Sequence, residues 1–319
     1  MRIQGIPTQQ DIEETHDRIR PFIVETPVLR SDFLDELAGA SVVFKCENFQ
    51  KIRAFKARGG LNAVLSLSEE AQAKGITTHS SGNHAQAIAL AAAQVGTKAY
   101  IVMPENAPKV KVEGMKALGG EIIFCEPTLQ AREATVEDVI QRTGATFVHP
   151  FDNYDVIAGQ ATSAKELLAL HPDLDVLMAP VGGGGLLSGT ALAAHYWAPK
   201  AEVIAGEPTG AADAVLSFAS GKVEKAPYIS TIADGLLTTL SARTLEIIRQ
   251  HVKAIWLVDD DEIREAMELV YRHLKILIEP SCAVPFAAFL KYGRAYQGKK
   301  IGIILTGGNV DVDKVPFAL

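Results

Sequence analysis

The sequence predicts an α/β fold of two domains, each an open, twisted, mostly parallel sheet flanked by helices. Three observations carry this. Short apolar runs alternate with helical patterns along nearly the whole chain, the mark of βαβ units. Glycine-bearing turns stand where apolar runs give way to helices, as in "PVGGGGLLSGT" (180–190) and "HSSGNHAQA" (79–87). The length, 319 residues, exceeds one small core and suffices for one large or two medium α/β domains.

Taken in order, "SVVFKC" (41–46) reads as a strand, and "GITTHSS" (75–81) as a strand running into a turn. An alanine-rich helix follows at 84–96, stopped by Gly96. Next come a strand at 98–103, a helix at 109–120, a strand at 121–125, a helix at 129–144 and a closing strand at 145–150. The second half repeats the style. "DVLMAP" leads into the glycine loop and a helix, 201–207 and 253–258 are strands, 262–274 is a helix, and 299–309 is a strand ending in a glycine turn. Residues 75–150 could form a compact small domain, leaving 1–74 and 151–319 as a discontinuous larger one.

Composition narrows the function classes. The net charge of −7 gives no general pull toward nucleic acid or anionic lipid. Three cysteines without a CxxC pair suit a reducing compartment and argue against a disulfide frame or a zinc site. The N-terminal segment has no apolar core of a signal peptide, and no apolar run approaches ~20 residues. The expectation is a cytoplasmic protein.

Three local signals point to chemistry. Four adjacent glycines, Gly182–Gly185, between a strand and a helix let backbone N–H groups converge on one anion at the positive end of a helix dipole. No Lys-Ser/Thr follows as in a nucleotide loop, and the dinucleotide spacing is missing. A plain tight turn is the alternative. In "HSSGNHAQA", Ser80, Ser81 and Asn83 are plausible helix caps, or together a second anion nest sized for a carboxylate. In "LTGGNVD" (305–311) the Thr306 hydroxyl stands at a strand end, where open α/β sheets bind ligands, or in a simple turn. The segment "QKIRAFKARGG" (50–60) adds four cations in eight residues beside Phe55, read either as a wet basic face or as the seat of a reactive lysine. A cofactor with a phosphate and an aldehyde would use all of these.

With these motifs, "VIAGQAT" (156–162), "IADGL" (232–236) and "IEPSCAV" (278–284), the chain resembles the serine/threonine dehydratase and serine racemase family, including members that act on 3-hydroxyaspartate. These are pyridoxal-5′-phosphate enzymes of fold type II, like the tryptophan-synthase β subunit. The resemblance implies a cofactor in a cleft between two domains. It makes Lys56 in "AFKARG" the Schiff-base lysine, and Gly182, Gly183, Gly184, Gly185 and Leu186 the phosphate loop. Asn83 would face the pyridine 3′-oxygen, and Thr306 the pyridine nitrogen. Ser80, Asn83 and His84 would grip the substrate carboxylate. Glu207, the Ala211 carbonyl and Asp213 in "GEPTGAAD" would hold Mg²⁺, Ca²⁺ or Mn²⁺, which take such oxygen ligands.

The main expectation is a dehydratase that turns a β-hydroxy-α-amino acid into a 2-oxo acid and ammonia, with Lys56 taking the α-proton. Its substrate would be L-serine, L-threonine or 3-hydroxyaspartate. Plain threonine deaminases of the family tend to carry alanine where this chain has Ser81, so an amino-acid racemase, or a racemase with dehydratase activity, is the second expectation. A silent small-molecule binding protein is the third. Arg53, where the family usually has glycine, and Arg132, which matches a family arginine, are candidates for a second substrate carboxylate. A homodimer is expected from base rates.

Overall fold

The computed structural model describes residues 3–80, 82–107, 109–311 and 315. The strands, in chain order, are β1 (Val28–Leu29), β2 (Ser41–Cys46), β3 (Ile76–His79), β4 (Ala99–Pro104), β5 (Gly120–Cys125), β6 (Thr146–Phe147), β7 (Val176–Pro180), β8 (Glu202–Pro208), β9 (Ala254–Val258) and β10 (Lys300–Leu305). They form two sheets. One has the order β5-β4-β3-β6, and the other β1-β2-β10-β7-β8-β9. Every pairing is parallel except β1 with β2. The two-sheet α/β architecture expected from the sequence is therefore present.

Contacts divide the chain into two compact units: Met1–Ile23 with Lys56–Gly159, and Val24–Phe55 with Gln160–Leu319. The first contains the four-stranded sheet and is wider than the expected 75–150. The helix Lys56–Leu65 belongs to it because glycine and alanine let backbones meet. A Cβ on Gly60 would lie 2.8 Å from the Cβ of Ala87, on the helix Asn83–Gln94. A Cβ on Gly159, in the helix Tyr154–Leu170, would lie 2.5 Å from the Cα of Gly59. The motifs "KARGG" and "VIAGQAT" are thus two sides of one close helix contact. The core of this unit is Leu61, Ile76, Ile88, Ile101 and Met103 with the alanines of the Asn83 helix.

In the second unit, strands β2, β10, β7, β8 and β9 run in one direction, so their carboxyl ends share one edge of the sheet. The helix Pro280–Tyr292 packs on one face with Phe44, Met178, Ile204 and Ile303. The helix Gly185–Trp197 packs on the other with Val43, Leu177, Ala205 and Ile304. Strands β2, β10, β7 and β8 are buried on both sides and read as continuous apolar runs, as parallel strands do.

Candidate active site

Lys56 is the first residue of its helix and is half-buried. Its Nζ donates to the Pro150 carbonyl at 2.9 Å. Pro150 follows β6, next to β3 in the same sheet, so the loop bearing the amine's partner and the "HSSGN" turn leave the same sheet edge. In that turn Ser80 Oγ accepts from the Gly82 N–H at 3.3 Å. Gly82 caps the Asn83 helix without a side-chain hydrogen bond, so the simple capping role is not taken by Ser80 or Asn83. Ser81, the residue on which the racemase expectation turns, lies outside the described residues.

His84 is buried beneath this turn. Its Nε2 bonds the Val148 carbonyl at 3.0 Å, leaving Nδ1 as an acceptor with no partner among the described residues. Burial, and then the Lys56 charge, hold its pKa well below the ordinary value, so it is neutral at neutral pH. His79, stacked 5.4 Å from Phe147, is also lowered by burial. Arg132 sits on the helix Leu129–Thr143, with its Nε buried and without an acceptor among the described residues.

Within the second unit, the segment leading to Lys56 is stitched to the end of β10. The Arg53 carbonyl accepts from Gly308 N at 3.0 Å, Asn309 Nδ2 donates to the Ile52 carbonyl at 2.8 Å, and Phe55 N donates to the Thr306 carbonyl at 3.0 Å. Ile52 and Arg53 both have φ of +57°, left-handed backbone that costs of order 1–3 kcal/mol at each non-glycine residue. The Arg53 side chain is exposed. Thr306 is buried beside Cys282, whose thiol is pushed far up by burial while the Thr306 hydroxyl pulls the other way. Such a thiol is inert packing, not a nucleophile.

The four glycines follow β7, and Gly184 has φ of +86°. A Cβ there would lie 2.7 Å from Leu240 Cδ2 and 2.9 Å from Thr244 Cβ. One on Gly182 would lie 3.0 Å from the Cα of Leu236. Gly182 and Gly184 are bare by necessity, and the loop presents the N-terminus of a 13-residue helix. Leu186 lies in the first turn of that helix.

Glu207 lies in β8, at the same sheet edge. Its carboxylate accepts from Ala214 N at 2.6 Å and Val215 N at 2.9 Å. Asp213 accepts from Leu240 N at 3.3 Å, and the Ala211 carbonyl accepts from Asp213 N at 3.1 Å. Burial pushes Glu207 up to about 8 and Asp213 up to about 6, with the Asp213 charge adding to the shift at Glu207. Among the described residues, no group of three or more His, Cys, Asp or Glu could hold a metal ion. A cation here would draw on the two carboxylates, carbonyl oxygen and water.

A family model described as pyridoxal-phosphate dependent enzyme matches residues 19–307. The chain is 47% identical over 312 residues to the beta-hydroxyaspartate dehydratase of Paracoccus denitrificans, covering 98% of this chain and 99% of the other. It is 46% identical over 312 residues to the serine racemase of Dictyostelium discoideum, covering 97% and 96%. The crystal structure of that racemase superposes with a TM-score of 0.92, over 96% of this chain and 99% of the other. Further relatives of similar identity carry the name serine racemase. No helix is long and apolar enough to cross a membrane among the described residues.

Proposed function

Because the chain belongs to the family of pyridoxal-phosphate dependent enzymes, and to its dehydratase and racemase branch, we propose that it both inverts the α-carbon and eliminates the β-hydroxyl of a serine- or hydroxyaspartate-type amino acid. The sequence alone put elimination first. The relatives weigh toward racemisation, so inversion is placed beside it as a main activity. The observation that carries the reading is the Lys56 amine, half-buried at a helix start and held by a backbone carbonyl.

The residues fit the cofactor. A lysine amine suits its aldehyde. The glycine loop, where a Cβ on Gly182 or Gly184 would crowd the protein behind it, presents a helix N-terminus, which suits its phosphate. Thr306 would face the pyridine nitrogen and Asn83 the 3′-oxygen. The bound cofactor withdraws electron density from the substrate α-carbon and so eases loss of its proton. Lys56 would take that proton from one side, and Ser81 would return one from the other. Thr306 is neutral and would not enforce a charged pyridine nitrogen. Ser80, Asn83 and His84 would bind the α-carboxylate, and Arg132 or Arg53 a second carboxylate. Glu207, Asp213 and the Ala211 carbonyl would hold a divalent cation, which would relieve the raised carboxylates. We further propose a cytoplasmic homodimer, on the three buried free cysteines and on base rates.

The test offers the holoenzyme stereoisomers of serine, threonine and 3-hydroxyaspartate, and follows both keto acid and the enantiomer ratio of what remains. Keto acid together with loss of enantiomeric purity is expected. Keto acid with purity retained would leave a dehydratase alone, and neither would remove the reading. Lys56→Ala should be colourless and inactive.

A further inference from the structure

The turn that presents a carbonyl to Lys56 is built around an imidazole. His149 Nδ1 accepts from the Asp152 N–H at 2.8 Å and from the Phe151 N–H at 3.3 Å. Asn, Asp, Ser and Thr commonly hold backbone in this way; here a histidine does it. Pro150, between them, has no N–H. Both amides of the turn therefore point inward to His149, and the Pro150 carbonyl is left to meet the Lys56 amine. The approach to the turn is fixed as well. The Val148 carbonyl accepts from Thr78 Oγ1 and His84 Nε2, each at 3.0 Å, and Val148 N donates to the Thr77 carbonyl at 3.0 Å. The His149 ring is caged by Phe151 at 4.6 Å, Phe147 at 5.8 Å and His79 at 6.2 Å, all near perpendicular.

We propose that His149 is a positioning residue: its neutral imidazole, protonated on Nε2, holds the His149–Asp152 turn so that the Pro150 carbonyl fixes the Lys56 amine. An acceptor at Nδ1 cannot carry a proton there, so the hydrogen bonds themselves select the tautomer. Protonating Nδ1 turns the acceptor into a donor facing two N–H groups. The turn then opens, and Lys56 loses its anchor. Among the described ionisable groups, His79 lies 6.2 Å from the ring, Asp152 closes the turn, and His84 interacts electrostatically with it; Lys56 bears on His84, and Arg132 and Glu133 on His79. The consequence for turnover rests on Lys56 being the reacting amine; the structure of the turn does not.

The experiment compares His149→Asn, which keeps an acceptor that does not titrate, with His149→Leu, which has none. The first readout is hydrogen exchange at the Phe151 and Asp152 amides of the folded holoenzyme. Loss of a hydrogen bond should speed exchange about tenfold. This is expected in His149→Leu at all pH values, in the wild type only on acidification, and not in His149→Asn. The second readout is kinetic. His149→Leu should lose about 10²-fold in kcat with KM little changed. His149→Asn should recover most of kcat and lack the acid limb of the wild-type profile. Should His149→Leu fail to fold, wild type against His149→Asn across pH still decides. Identical pH dependence of amide exchange in those two, or failure of asparagine to restore kcat, overturns the proposal. A Lys56→Ala protein that still carries the cofactor covalently would remove the reading of Lys56 and leave the amide-exchange result standing.

Discussion

The first unit gathers His79, His84 and His149 at the carboxyl edge of its sheet, and the second gathers Glu207 and Asp213 at the carboxyl edge of its own. His84, Glu207 and Asp213 are buried and His79 and His149 half-buried, yet burial acts on the two clusters in opposite senses. It lowers His79 and His84, so at neutral pH they are uncharged and serve as ordinary hydrogen-bonding groups. It raises Glu207 to about 8 and Asp213 to about 6, which places their titration in the working range. An imidazole sheds its charge near neutrality and is content. A carboxylate does so only against its nature, and a cation is the simpler remedy. A third arrangement, within the second unit, pairs its charges. Lys45 and Glu166, both buried, meet at 2.6 Å, with Lys45 Nζ also donating to the Thr26 carbonyl at 2.7 Å.

The harshest way to break the comparison is to make a compensated charge uncompensated. Lys45→Met takes the cation from a buried carboxylate and should cost about 3–5 kcal/mol, read as a fall in melting temperature of roughly 6–10 °C. Lys45→Met with Glu166→Leu should lose less than Lys45→Met alone. The reverse experiment supplies a charge. Mg²⁺, Ca²⁺ or Mn²⁺ added to chelator-treated protein at 100 times its dissociation constant should stabilise by about 2.7 kcal/mol. Glu207→Gln with Asp213→Asn should abolish that response, and a wild-type melting temperature indifferent to chelator would refute the cation site.

The arginines sharpen the contrast, since a guanidinium keeps its charge. Arg132 has a buried Nε lacking an acceptor among the described residues, whereas Arg53 is exposed. Arg132→Ala should therefore erase more of any preference for 3-hydroxyaspartate over serine than Arg53→Ala does. One charge-assisted contact is worth about 1.5–3 kcal/mol, or one to two orders of magnitude in relative kcat/KM. Equal losses for both substrates would make either residue structural.

The smallest effect is the pH slope. As pH falls below about 6.5, unfolded chains take up protons that buried His84 refuses, so stability drains by up to about 1.4 kcal/mol per pH unit. The carboxylates work the other way in metal-free protein. Their protons stabilise the fold at low pH, and that contribution is lost as pH rises through about 6 and about 8. Denaturant titrations from pH 8 to 5 should show the acid loss more steeply with cation than without. His84→Gln should flatten it.

Much of this was legible in the sequence. The parallel strands announced themselves as short apolar runs, and Gly96 and Gly144, both at positive φ, marked helix ends. The glycine loop could be read because four bare residues between strand and helix leave little else to do. Eight of the α-helices in the described residues were missed. Of these the longest, Tyr154–Leu170, straddles the division between the units, and the next, Pro280–Tyr292, carries Pro285 and is buried nearly throughout, so it shows no polar stripe. The boundary near residue 56 was hidden because it depends on glycine contacts between helices far apart in the chain. His149 was missed because "HPFD" carries no hint of which ring nitrogen accepts, and Ile52 because a β-branched residue argues against left-handed backbone.

That left-handed backbone gives position 53 its own experimental control. Alanine removes the guanidinium and keeps the unfavourable φ; glycine removes both. A change in substrate choice common to Arg53→Ala and Arg53→Gly belongs to the charge. A rise in melting temperature found only with glycine belongs to the chain itself. Two substitutions at one residue thus separate recognition from conformation.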